Sequence, residues 1–322
     1  MKASKKIALL VAAILVAVGA IVGFVGIYMM NFNFTNFDTR GKIVTNTYEI
    51  KEEFSNITFK GIYSDVRLVY SDDGICRVVC NEREQRAYDV RAEDGTLTVS
   101  LKNEGGWKWY HYIGMDLKET SITVYLPKAE YTALTLTGSV GDVLVPRELS
   151  FENADISTDT GDVVFYASVK DLLKVKTSTG EIEIDGISAK LLDVLSDTGD
   201  ISISSVNSET ITVNVDTADV EINSVECKNI SGNSSTGEMQ FKNVIASETL
   251  SIETSTGEVE MVGCDGALIR IKTSTGDVYG ELMSEKVFVT QTSTGDVRVP
   301  VSAGEQRCEI STSTGDIEFI IK

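Results

Sequence analysis

A single histidine, His111, stands in 322 residues, and that scarcity excludes much chemistry. Ser–His and Cys–His nucleophile pairs would all have to pass through it, and no His/Cys metal set can be assembled. Proline is nearly absent, with 3 against 26 glycines, a balance foreign to disordered and collagen-like chains. Cations are short too: 29 Lys and Arg face 48 Asp and Glu, for a net charge of −19. Residues 1–30 hold Lys2, Lys5 and Lys6 and no acid, so the remainder carries a net −22. Such a body repels phosphate backbones, which excludes nucleic acid as a partner.

Cysteine is scarce and odd in number, at 5, which fits no closed disulfide framework. Cys76 and Cys80 lie four apart in an apparent strand, with Cα atoms roughly 13 Å apart, beyond disulfide reach. Cys264 and Cys308 fall at inward positions of the repeat described next, and Cys227 is expected in a loop. No structural disulfide is expected.

Charge is also missing from Ile7 to Met30. As a helix those residues span roughly 36 Å and cross a bilayer. The lysines before the run place Met1 in the cytoplasm and everything beyond Asn31 outside. A cleaved signal peptide, with Val18-Gly19-Ala20 as its site, is the rival reading, but the apolar run outlasts an h-region. The expectation is an uncleaved single-pass anchor over 1–30, a linker over 31–42 and cell-membrane localisation. With no cysteine near the run, a lipoprotein anchor is excluded.

What the sequence has in abundance is one short tract. Thr-Gly-Asp-Val recurs around Gly141, Gly161, Gly180, Gly199, Ala218, Gly237, Gly257, Gly276, Gly295 and Gly315, each 19 or 20 residues after the last. Residues alternate with period two around it, as in Leu173, Val175, Thr177 and Thr179 against their charged neighbours, which means strands. An apolar residue recurs seven places past the glycine: Ile187, Val206, Val225, Val244, Cys264, Met283. Units this small bury an apolar face only by stacking. The fold class expected is therefore all-β: a parallel β-solenoid of about ten coils over 134–322, right-handed by the crossover rule. With it go an N-terminal β cap over 43–133 and the one transmembrane helix. Glycine supplies a corner where φ is positive or a Cβ would clash, so Ala218 predicts a strained or differently shaped corner. Ser64-Asp65-Val66 reads as a degenerate copy. The chain shows no distal cap, so the C-terminal edge is a candidate surface for self-association.

Stacking aligns the residue after each corner into an acidic column: Asp142, Asp162, Glu181, Asp200, Asp219, Glu238, Glu258, Asp277, Asp296 and Asp316. A divalent-cation ladder is the sharp reading, since hard oxygens suit Ca²⁺. The plainer one has each carboxylate capping local backbone amides. The pairs Thr158/Thr160, Thr177/Thr179, Thr254/Thr256, Thr273/Thr275, Thr292/Thr294 and Thr312/Thr314 are placed inward by alternation, as hydroxyl ladders between coils. Trp107, Trp109, Tyr110 and Tyr112, beside His111, form an aromatic cluster. It either stacks on sugar rings or a membrane interface, or packs over its own domain.

The run from Phe54-Ser-Asn-Ile57 through Tyr63-Ser-Asp65-Val66 and Asp94-Gly95-Thr-Leu97 to the Thr-Ser-Thr-Gly-Asp-Val ladder resembles the putative-adhesin β-strand-repeat family of bacteria. That resemblance implies a β-solenoid at the bacterial cell surface, with adhesion or envelope-stress roles, and supplies no catalytic or binding residues. The function expected is a non-catalytic envelope component that binds wall polymer or a membrane partner, with a surface adhesin as the alternative. No cofactor is expected apart from Ca²⁺ on the acidic column.

Overall fold

A computed structural model of the chain describes residues 42–84, 86–102, 120–302 and 304–322, together with Val16, Val18 and Gly19. The β-solenoid is there; a membrane-spanning helix is not found among the described residues. Crossing a bilayer takes about 20 consecutive apolar helical residues. Among the described residues no helix is long and apolar enough. Val16, Val18 and Gly19 are helical, and the rest of 7–30 lies outside the described residues. The fold class is corrected accordingly to an all-β solenoid in which no described helix spans a membrane. The single-pass membrane localisation that rested on the helix falls with it.

Two contact units divide the chain. The smaller comprises 1–43, 83–85 and 103–119; in it the Glu84 amide donates to the Lys42 carbonyl at 3.2 Å. The larger is the stack. It opens with β1 (Ile43–Ile50), β2 (Asn56–Ile62), β3 (Asp65–Tyr70), β4 (Cys76–Arg83), β5 (Tyr88–Glu93), β6 (Thr96–Leu101) and β7 (Ser121–Leu126). The regular coils follow: β8 (Glu130–Val140) with β9 (Val143–Val145), β10 (Ser150–Thr160) with β11 (Val163–Phe165), and β12 (Ser168–Thr179) with β13 (Ile182–Asp185). Next come β14 (Ser188–Thr198), β15 (Ile201–Thr217), β16 (Val220–Thr236), β17 (Met239–Thr256) and β18 (Val259–Thr275). Coils β19 (Val278–Leu282), β20 (Lys286–Gln291), β21 (Val297–Arg298), β22 (Gln306–Ser311) and β23 (Ile317–Ile321) end the chain.

From β8 to β19 each strand pairs in parallel with its equivalent one repeat on, as in Ile182↔Ile201↔Val220↔Met239↔Val259↔Val278. Like residues therefore stack on like. Every one of these six side chains is buried, and Ile184, Ile203, Ile222, Phe241 and Met261 form a second buried column beside them. Where a large side chain enters, a glycine makes room. A Cβ on Gly280 would lie 2.7 Å from the Phe319 ring, and one on Gly232 would lie 2.8 Å from the Met239 methyl. The sevenfold-offset position keeps Ile187, Val206, Val225, Val244 and Cys264 buried, but Met283 is exposed and Leu282 takes the inward place. The register shift between Val262 and Cys264 sets Leu282 opposite Cys264.

Coil order departs from chain order at both ends. β2 and β3 stack directly on β8 and β9, and β6 and β7, later in sequence, lie on their far side. At the other end β22 and β23 insert between β18–β19 and β20–β21. Antiparallel strands finish the first end, β5 on β6 and β4 on β7.

Candidate functional site

The repeat corner sets the most regular surface on the molecule. Each corner glycine takes φ between +130° and +154°, a conformation open to glycine at little cost. The preceding coil also passes too close for a side chain: a Cβ on Gly180 would lie 2.1 Å from the Gly161 carbonyl oxygen. Its amide donates to the threonine carbonyl one coil on, Gly161 to Thr179 at 2.9 Å and Gly180 to Thr198 at 3.0 Å. Ala218 keeps this bond, to Thr236 at 3.0 Å, without a positive φ. Its corner is reshaped rather than strained.

All ten acids of the column line up. Where the residue is aspartate its Oδ1 accepts the backbone amide of the next acid in the stack. Asp142 accepts from Asp162 at 2.9 Å, Asp162 from Glu181 at 2.9 Å, Asp200 from Asp219 at 3.1 Å and Asp219 from Glu238 at 2.7 Å. Asp277 accepts from Asp316, and Asp316 in turn from Asp296, both at 2.8 Å. Where it is glutamate the longer side chain goes elsewhere, Glu238 to Gln240 at 2.6 Å and Glu258 to the Tyr279 hydroxyl. The column begins one coil before the first full repeat, because Asp65 accepts from Asp142 at 3.0 Å; the degenerate Ser-Asp-Val tract was its signal. Among the described residues no three His, Cys, Asp or Glu side chains gather as a metal-holding group.

The threonine pairs divide. Thr158, Thr177, Thr254, Thr273 and Thr312 are buried, and the second member of each pair is exposed. Alternation fails at the last step before the corner glycine, where the second threonine faces water. In register, Thr160, Thr179, Thr198, Thr217, Thr236, Thr256, Thr275, Thr314 and Thr294 make an exposed column of nine. It runs beside the corner backbone and the acids. A shallow groove of about 600 Å³ lies along it, lined by Thr179, Thr198, Thr217, Thr236 and the neighbouring Asp162, Glu181, Asp200 and Asp219. Trp107, Trp109, Tyr110, His111 and Tyr112 lie outside the described residues.

The thiols lie away from this face. The five cysteines are all buried free thiols, Cys227 among them within β16 rather than in a loop. Burial pushes Cys76, Cys227 and Cys264 up to about 11, and Cys80 and Cys308 up to about 12, which suppresses the reactive thiolate. What the face offers is hydrogen-bonding groups at the spacing of the coils, about 4.8 Å.

A Thr-Gly-acid corner repeated along a parallel stack defines a β-solenoid repeat protein with a continuous ladder face. The chain belongs to the Toastrack DUF4097 family, whose profile matches residues 54–222 and 191–322. Three solved structures are similar to it. A putative adhesin from Bacteroides fragilis is 14% identical, with a TM-score of 0.42 over 87% of this chain and 97% of that one. A putative adhesin from Parabacteroides distasonis is 14% identical, with a TM-score of 0.45 over 87% and 98%. A putative lipid binding protein from the same organism is 22% identical, with a TM-score of 0.47 over 73% and 96%. No curated protein matches the sequence.

Proposed function

We propose that the chain is a non-catalytic binding module that holds an extended, hydroxyl-rich polymer of the cell envelope, such as a wall polysaccharide, along its corner face. The exposed threonine column supports this reading. Nine hydroxyls in register can each donate and accept, while the flanking carboxylates accept from sugar hydroxyls. A ladder of identical groups suits a ligand that is itself a linear repeat, because each added unit meets the same contacts.

The test is binding of purified wall polysaccharide to the wild-type chain and to a Thr198→Val, Thr217→Val double variant. Valine keeps the β-branched shape and removes only the hydroxyl. A loss of affinity of about tenfold, corresponding to roughly 1.4 kcal/mol, with an unchanged melting temperature is the expected result. Equal binding by the variant removes the corner face from the account. If surface glycans of other cells bind more tightly than the wall polymer, the role becomes adhesion through the same face.

A further inference from the structure

The two ends of the stack are finished differently. At the first end, antiparallel β5 covers the outer side of β6, and β4 covers that of β7. At the distal end the outermost strand is β20, and no described strand pairs on its outer side. An uncovered strand edge is a template for pairing, and proteins blunt such edges with charge. This one carries the opposite. Along the outward positions of β18 and β22, Arg270 and Lys272 stack on Glu309 and Ser311; the same register brings Val289 and Gln291 into β20, and Val287 beside Arg307. Val287 and Val289 are 39% and 47% exposed. Phe288 points inward, only partly buried against the core, with its ring centroid 5.9 Å from that of Phe319.

Charge changes at the same place. Residues 134–283 carry 26 acids against 9 bases, whereas 284–307 carry Glu285, Asp296 and Glu305 against Lys286, Arg298 and Arg307. Two copies of this molecule repel each other along most of their length and lose that repulsion at this end. Lys286 also fixes the edge strand. Its side chain is fully buried, pairs with Asp265 and Gln306, and donates to the Ser284 hydroxyl at 2.6 Å, so it ties the outer coil to the inserted coil and to the coil beneath.

We infer that the distal edge is the interface of a two-fold dimer of this chain, with β20 of one copy pairing antiparallel with β20 of the other. A second copy fits this edge because the acid excess that keeps two such molecules apart elsewhere is absent from residues 284–307. An isologous contact closes on itself and stops at two. In the register centred on Phe288, Val287 of each copy lies opposite Val289 of the other on the outer face. The two Phe288 rings then meet over the open end of the core.

The test uses the full chain in mild detergent, which removes association through the apolar 7–30 segment. Light scattering should give twice the chain mass for wild type, and a single chain mass for Val289→Lys at the same concentration. Leu191→Lys, at an exposed position of a central coil, should remain dimeric. A Val287→Cys, Val289→Cys double variant should form an intermolecular disulfide under mild oxidation, since the native thiols are all buried. A wild-type chain that stays single at every concentration overturns the inference. So does a dimer that survives Val289→Lys, or a cysteine pair that fails to cross-link while the dimer persists.

Discussion

At Gly199 φ is +132°, and a Cβ there would lie 2.1 Å from the Gly180 carbonyl oxygen. Gly199→Ala therefore meets both a backbone penalty and a clash with backbone that cannot move without displacing a coil. It should cost at least about 2 kcal/mol, read as a fall in denaturation midpoint. Ala218→Gly, at a corner already without positive φ, should cost less than half of that. The buried thiols make a second prediction at this scale. Burial raises Cys80 and Cys308 from 9.0 to about 12. The unfolded chain therefore ionises first, and stability falls as pH climbs from about 9 toward 12. Thermal melts across that range should show the fall, and Cys308→Val should flatten it. Cys264 and Cys308 were legible as core from their place in the repeat, whereas Cys227, expected in a loop, is buried in β16. The outward threonines were not legible, because strict alternation would have turned Thr179 inward with Thr177, and it breaks at the last residue before the corner glycine. A bend also escaped: Gly186, Ser205, Ser224, Asn243 and Gly263 share φ between +53° and +68° at one place in successive coils. Only a glycine at either end and one asparagine hinted at it.

Strands and their parallel pairing could be read from the 19-residue period, but the order of coils at the ends could not. β20–β21 and β22–β23 carry nearly the same Thr-Ser-Thr-Gly-Asp tract, so local pattern favours either one as the neighbour of β18–β19. The residue that separates the two orders is Lys286, an ordinary lysine until the fold buries it against Asp265 and Gln306. Asp265 is itself pulled in two directions, since burial raises its pKa and bonds from Lys286 and Ser284 lower it, with a net lowering. Lys286→Met leaves that carboxylate without its cation, and breaking a buried pair costs about 3 kcal/mol. Because each coil of a solenoid answers mainly to its neighbours, amide exchange should quicken in β20 to β23. Exchange in β14 to β16 should hold at the wild-type rate.

Across the whole molecule the dominant quantity is uncompensated negative charge. Its acidic column is bonded through aspartate Oδ1 to backbone amides, an arrangement that neutralises none of the repulsion between neighbours. Added salt should therefore raise the melting temperature by screening. Calcium chloride should raise it no further than sodium chloride at equal ionic strength. A larger rise with calcium would mean that the carboxylates leave the amides to coordinate the ion.

The inverted order of the last two coils bears on how the polypeptide reaches its final form. A chain made from its N-terminus offers 286–298 before 306–321. Yet the later segment occupies the slot directly on β18–β19. The earlier one must therefore wait unattached, or dock in that slot and be evicted. Either way the far end stays unlatched until the closing segment arrives, so a truncated product ending before residue 306 would lack the inner half of its own latch and should be the species that quality-control proteases find first.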